Sequence, residues 1–149
     1  MKIEHYCAYQ ERCGFDVAMK LRSWKVDAAR IPLILKRLYD EHFIDDERYA
    51  RAFVRGKFHI NRWGRIKIIN ELKVRQMDER IIQNALNEIG PEEYRETLEE
   101  LMHKKYSQFQ GTNNLAIREK IINFVTGKGF EFSLAESVLN ELNLIHDNT

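Results

Sequence analysis

Between Arg48 and Arg75 the chain carries nine cations: Arg48, Arg51, Arg55, Lys57, Arg62, Arg65, Lys67, Lys73 and Arg75. One carboxylate, Glu71, opposes them, so this window holds a net charge of +8 in a chain whose formal charge is +1. Cations at this density, without interleaved acids, suit an anionic partner: a phosphate backbone or an acidic protein surface. Arg48, Arg51 and Arg55 fall at i, i+3 and i+7, one stripe of a helix, with Tyr49, Ala50 and Phe53 on the adjoining inward side. Arg62, Trp63, Arg65 and Lys67 mark a connection and the start of a second helix, whose Ile66, Ile69 and Leu72 are expected inward. Trp63 either stacks on a base or an exposed partner residue or closes a core, and the core reading is favoured for it and for Trp24.

No other residue set reads as a chemical site. The histidines His5, His42, His59, His103 and His146 are scattered, and no zinc, phosphate-loop, dinucleotide or nucleophile-elbow motif occurs. Asp45, Asp46 and Glu47 read as a capped helix start, with acids at its positive end, rather than as a metal site. Neither an enzyme activity nor a cofactor is expected. Cys7 and Cys13 have a spacing that fits neither a zinc site nor a redox pair, and no signal peptide precedes them. Both are expected as reduced thiols, on a helix face, in a cytoplasmic protein. No apolar run approaches the roughly 18 residues of a membrane span.

The elements that must carry the cations are helices. Charged residues make up 32% of the chain, with seven Gly and two Pro, which suits a helix-rich fold with a solvated surface. Apolar positions repeat around three anchors, Val26, Met77 and Phe130. Before them stand Val17, Ile68 and Ile121 (nine residues) and Leu21, Leu72 and Val125 (five residues). After them stand Ile31, Ile82 and Ala135 at +5, then further apolar positions at +8, +9 and +12. These offsets describe two helices joined by a turn, three times over. Asp27 and Asp78 are expected to cap the helices that follow their anchors, Gly127-Lys128-Gly129 to end a helix, and Ser133 to Glu136 to form a capping box. An earlier helix precedes two of the pairs, from Asp46 to about Phe58 and from Pro91 to about Tyr106. In the first copy the matching piece, about Tyr6 to Arg12, is short. Gln108–Asn114 is the longest polar loop.

The expected fold is therefore all-α: three tandem three-helix, helix-turn-helix-like repeats in an elongated, curved stack, the first abbreviated. The repeats are 1–42, 43–90 (with the basic face) and 91–149. A major-groove recognition role for Asp78 to Ile89 is disfavoured, because its outward residues, Glu79, Arg80, Gln83, Asn84, Asn87 and Glu88, are mixed and slightly acidic. A second charge block, Glu88 to Leu101, holds six Glu against Arg95.

FIDDERYARAF followed by WGRIKIINELK resembles the RecX family of recombination regulators. Asp45, Asp46, Tyr49, Ala50, Phe53, Gly64, Ile66 and Leu72 stand at the family's signature positions, with Arg48 and Met77 beside them. Gln76 and His42 depart from the signature, each standing where the family has a turn glycine. The resemblance implies a non-enzymatic, cytoplasmic, monomeric protein that binds the RecA nucleoprotein filament in its groove. There it would suppress ATPase, strand exchange and coprotease activity in recombination and the SOS response. The basic face would meet acidic filament surface or the DNA within it. The alternative is a module that binds nucleic acid directly through the same face.

Overall fold

The computed structural model describes residues 2–109 and 114–144, and these are all-helical. In order they form α1 (Lys2–Tyr9), α2 (Gly14–Ser23), α3 (Ile31–Asp40), α4 (Asp46–His59) and α5 (Arg65–Val74). Then come α6 (Glu79–Leu86), α7 (Pro91–Tyr106), α8 (Asn114–Gly127) and α9 (Phe132–Leu142). Residues 110–113 of the expected polar loop, and His146, lie outside the described residues. The first helix is short, as expected, but it occupies Lys2–Tyr9 and ends before Arg12.

The three anchors share one backbone device. The Val26, Met77 and Phe130 N–H groups each donate to the carbonyl five residues back, that of Leu21, Leu72 and Val125, all at 3.1 Å. The residue before each anchor has positive φ: Lys25 at 62°, Gln76 at 58° and Gly129 at 101°. Its N–H donates to the carbonyl three residues back, at 2.9–3.0 Å. This closure satisfies carbonyls that a helix end leaves unpaired, and it brings the anchor side chain back over the last turn. His42, at φ 62°, ends α3 in the same way, with the Phe43 N–H donating to Leu38. A side chain in this left-handed conformation costs about 1–2 kcal/mol relative to the right-handed one.

Helix starts are more varied. The Asp78 carboxylate accepts the Arg80 N–H and caps α6. Asp27 opens a turn instead, accepting the Ala29 N–H, and α3 starts only at Ile31, with Pro32 in its first turn. The Ser133 capping box does not form: α9 begins at Phe132, with Glu131 as its N-cap. Pro91 opens α7, where the Glu93 carboxylate reaches back to the Gly90 N–H at 2.8 Å.

Two compact units divide the chain. The first comprises Met1–Val54 and Glu71–Glu88, the second Arg55–Asn70 and Ile89–Thr149. Helices α4 and α5 therefore each contribute one end to either unit. In the first unit Ile3, Cys7, Val17, Leu21, Ile31, Leu38 and Ile44 form a buried cluster. In the second, α7, α8 and α9 pack on one another, with Leu98, Met102, Ile121, Val125, Val138 and Leu139 buried. On α5 the buried stripe is Ile68 and Leu72, a helical i, i+4 pair, while Ile66 is 46% exposed rather than inward. Ile66 lies two positions before Ile68, about 200° round the helix, which puts it on the opposite side.

Gly64 and Gly129 meet backbone to backbone. A Cβ on Gly64 would lie 2.3 Å from the Gly129 carbonyl carbon and the Phe130 nitrogen. Gly64→Ala is expected to destabilise the fold by about 3 kcal/mol or more, since backbone on the far side cannot rotate away. Gln76→Gly is expected to stabilise it by about 0.5–1 kcal/mol, relief of the left-handed strain exceeding the added chain entropy. Urea unfolding of the two variants checks both signs.

Candidate functional site

The acidic start of α4 holds two elements at once. The Asp45 carboxylate accepts the Arg48 N–H at 3.1 Å and so caps α4 itself. Asp46 reaches elsewhere in the first unit: its Oδ1 accepts the Gly14 N–H at 3.0 Å and its Oδ2 the Tyr39 hydroxyl at 2.8 Å. Cys13, the N-cap of α2, provides no side-chain bond, so Asp46 does this from a distance. A Cβ on Gly14 would stand 2.1 Å from the Tyr39 oxygen, so a larger residue there would displace the tyrosine hydroxyl from Asp46. Cys7 and Cys13 are free and buried, and burial pushes the Cys13 thiol up to about 12. A thiol held protonated in this way is unreactive.

The cationic window folds onto acids from other parts of the chain. Arg48 Nε donates to both oxygens of Glu11, at 2.8 and 2.9 Å. Arg51 lies 4.0 Å from Glu88. Arg75 pairs with Glu71 at 3.2 Å, stands 4.0 Å from Asp16 and rests over the Phe53 ring at 5.0 Å. Arg62 bonds Glu100 at 2.8 Å. Arg65 bonds Glu131 at 2.8 Å, with its guanidinium 3.8 Å above the Tyr94 ring. The lysines differ. Lys57 and Lys67 lie over the Trp63 ring at 4.8 and 4.5 Å, while Lys73, in the last turn of α5, is exposed, as is Arg55. Trp63 is half-buried with both ammonium groups close to its ring, and Trp24 has an edge-on neighbour in Tyr6.

Sequence reasoning missed Tyr94. Its ring lies between Phe58, at 5.9 Å, and Phe130, at 4.9 Å. Its hydroxyl accepts the Arg65 N–H at 3.0 Å and donates to Glu131. The Gly64 N–H donates to the Lys128 carbonyl at 2.8 Å and the Ile66 N–H to the Gly129 carbonyl at 2.9 Å. The Gly64, Arg65 and Ile66 N–H groups at the start of α5 are thus bonded by the end of α8 and by Tyr94. Nothing local to Tyr94 in sequence signals this role.

A family model described as the second three-helix domain of RecX matches residues 45–86, the stretch that contains these signature positions. The chain is 25% identical over 146 residues to the regulatory protein RecX of Streptococcus agalactiae, covering 96% of this chain and 55% of that one. It is 29% identical over 137 residues to that of Bacillus cytotoxicus, covering 92% and 51%. The crystal structure of RecX from Lactobacillus salivarius superposes with a TM-score of 0.85 at 26% identity, over 97% of this chain and 94% of that one. The chain is thus similar to RecX proteins in sequence and in fold. It spans about half the length of the curated relatives it matches. Among the described residues no helix is long and apolar enough to cross a membrane.

Burial, then the bond to Glu131, raises the Tyr94 hydroxyl above its ordinary value of 10.0. Stability from this group is complete below pH 10 and is lost as pH rises through the folded value. Tyr49, pushed up to about 12, and Tyr39, also raised, act in the same direction. Wild-type protein is expected to lose stability between about pH 10 and 12 more steeply than Tyr94→Phe, as read by urea midpoints across that range. At neutral pH the same variant loses about 1–3 kcal/mol, because the Arg65 N–H is left unpaired.

Proposed function

We propose that this chain is a non-enzymatic regulator of the RecA recombinase. In this reading it binds the RecA nucleoprotein filament in its groove, as a monomer in the cytoplasm, and lowers its ATPase, strand-exchange and coprotease activities during recombination and the SOS response. The observation that carries the reading is the likeness to a solved RecX along nearly the whole of both chains. That the relatives are themselves named regulatory proteins supports it. The three sets of helices, α1–α3, α4–α6 and α7–α9, are read as the repeats 1–42, 43–90 and 91–149, the middle one bearing the partner surface.

The cations of the window divide by what they do at home. Arg48, Arg65 and Arg75 hold carboxylates or ring faces from distant segments, so their loss would disturb the fold as well as any partner. Arg62, in an exposed pair, Lys67, and the exposed Arg55 and Lys73 are the better contacts for an acidic filament surface, with Lys57 beside Lys67 at Trp63. Arg51, at 4.0 Å from its acid, is intermediate. The Arg62–Glu100 pair is exposed, contributes at most about 1 kcal/mol, and can be exchanged for an acid on a partner. A second reading, direct nucleic-acid binding without RecA, is favoured by Trp63, a half-buried aromatic ring with two lysine ammonium groups close by, the aromatic and basic combination that single-strand binders use.

The test is RecA ATP hydrolysis on single-stranded DNA, titrated with wild-type chain and with an Arg55/Arg62/Lys67→Gln variant that leaves Arg65 in place. Wild type is expected to lower the rate at substoichiometric amounts, and the variant to need about tenfold more protein, the loss of roughly 1.4 kcal/mol of binding. No effect of wild type at any ratio would sink the RecA reading. Steep salt-dependent binding to DNA alone would then favour the second.

A further inference from the structure

The connection after α4, the last turns of α7 and the end of α8 enclose a concavity of about 460 Å³ in the second unit. Arg62, Lys104, Lys105 and Lys128 line it, with Ile60 and Phe124 among its apolar residues. Three of these cations lie outside the Arg48–Arg75 window, and folding alone brings them to Arg62. Lys128 is oriented: its ammonium donates to the Asn61 carbonyl at 3.0 Å. Lys105 lies 4.8 Å from the centre of the Phe124 ring.

The cluster is short of counter-charge. Among the described residues its one recorded carboxylate partner is Glu100, bonded to Arg62, and both side chains of that pair are well exposed, at 45% and 62%. Exposed pairs of this kind exchange readily. The Lys128 ammonium is held below the usual lysine range, first by burial and then by Lys67, Arg62 and Lys104. Like charges gathered around a concavity attract an anion, whose arrival removes their mutual repulsion. The arginine fork matches two oxygens of a phosphate, and the lysines supply further donors. The volume falls within the range of small-ligand sites.

We infer that this concavity binds a phosphate-class oxyanion, held by Arg62, Lys104 and Lys128, with Phe124 and Ile60 forming an apolar wall beside it. The inference is independent of any action on RecA. Two sources offer this chemistry, a free phosphate compound and the phosphodiester backbone of a single strand.

Lysine acylation read by mass spectrometry tests it on the full chain alone, with a chelator present. The three conditions are no addition, inorganic pyrophosphate, and an oligothymidylate. Lys36, which pairs with Asp40 on α3, serves as the internal reference. Labelling of Lys104 and Lys128 is expected to fall about tenfold near saturation while Lys36 is unchanged. Protection by pyrophosphate supports the inference with a free phosphate as the source, and protection by the oligonucleotide alone supports it with the backbone as the source. Protection by neither, or equal protection of Lys36, overturns it. Lys104→Gln changes an exposed side chain on α7 and is expected to abolish the protection of Lys128. If Lys128 stays fully protected in that variant, the site is overturned as well.

Discussion

The second unit depends on an end-to-end meeting of two helices. An α-helix leaves its first N–H groups and last carbonyls without internal partners. At Gly64 and Gly129 the start of α5 and the end of α8 supply each other, two N–H groups of one donating to two carbonyls of the other. The positive end of one helix dipole lies against the negative end of the other, which adds to the attraction. The approach is so close that neither residue can carry a Cβ. Tyr94 adds to the joint by accepting the N–H between those of Gly64 and Ile66, that of Arg65, and the Phe58 and Phe130 rings hold it in place. Arg65 therefore belongs to the joint: its position follows from the backbone bond, and its guanidinium covers the ring that makes that bond.

The helices and their buried faces were legible because each follows a 3.6-residue period over two or more turns. The anchors were legible for a more specific reason. An anchor side chain folds back over the last turn of its helix, so its apolar character is coupled to that of the residue five before it. The misreadings come from starts and registers that local sequence does not determine. Asp27 has the right chemistry for a cap, but a turn over residues 28–30 delays α3 to Ile31, with Pro32 in its first turn. Ser133 likewise looks like a cap, yet α9 has already begun at Phe132. On α5 the apolar run Ile66, Ile68, Ile69 and Leu72 permits two stripes. The choice between them falls to the joint, which engages Ile66 through its backbone and leaves its side chain outside.

Charge was the least legible property. Counting a window records neighbours along the chain, whereas Coulomb attraction acts across space. Arg48 finds Glu11 across 37 residues, Arg62 finds Glu100 across 38 and Arg65 finds Glu131 across 66. The acidic block from Glu88 to Leu101 was visible as a block, and its Glu88 and Glu100 are the acids that meet Arg51 and Arg62. What sequence could not supply was the pairing, nor the converse case in which Lys104, Lys105 and Lys128 gather beside Arg62.

These placements change what the family signature signifies physically. Asp45 caps its own helix, Asp46 caps α2, Arg48 binds Glu11, Tyr49 and Ala50 are buried, and Gly64 admits the backbone of α8. Each of these residues has a complete structural reason to be what it is. The signature can therefore identify the fold, but it gives little guidance on which cations meet a partner. For that choice geometry is the better criterion. A side chain committed to a distant carboxylate and a ring face is held in one orientation, whereas a half-buried lysine with no carboxylate among the described residues, such as Lys67 over Trp63, or an arginine in a solvent-exposed pair, such as Arg62, can turn to a new acid at small cost. Under the proposed reading this criterion directs the search for a partner surface to Arg62, Lys67 and Lys73 before the arginines that fix the helices in place.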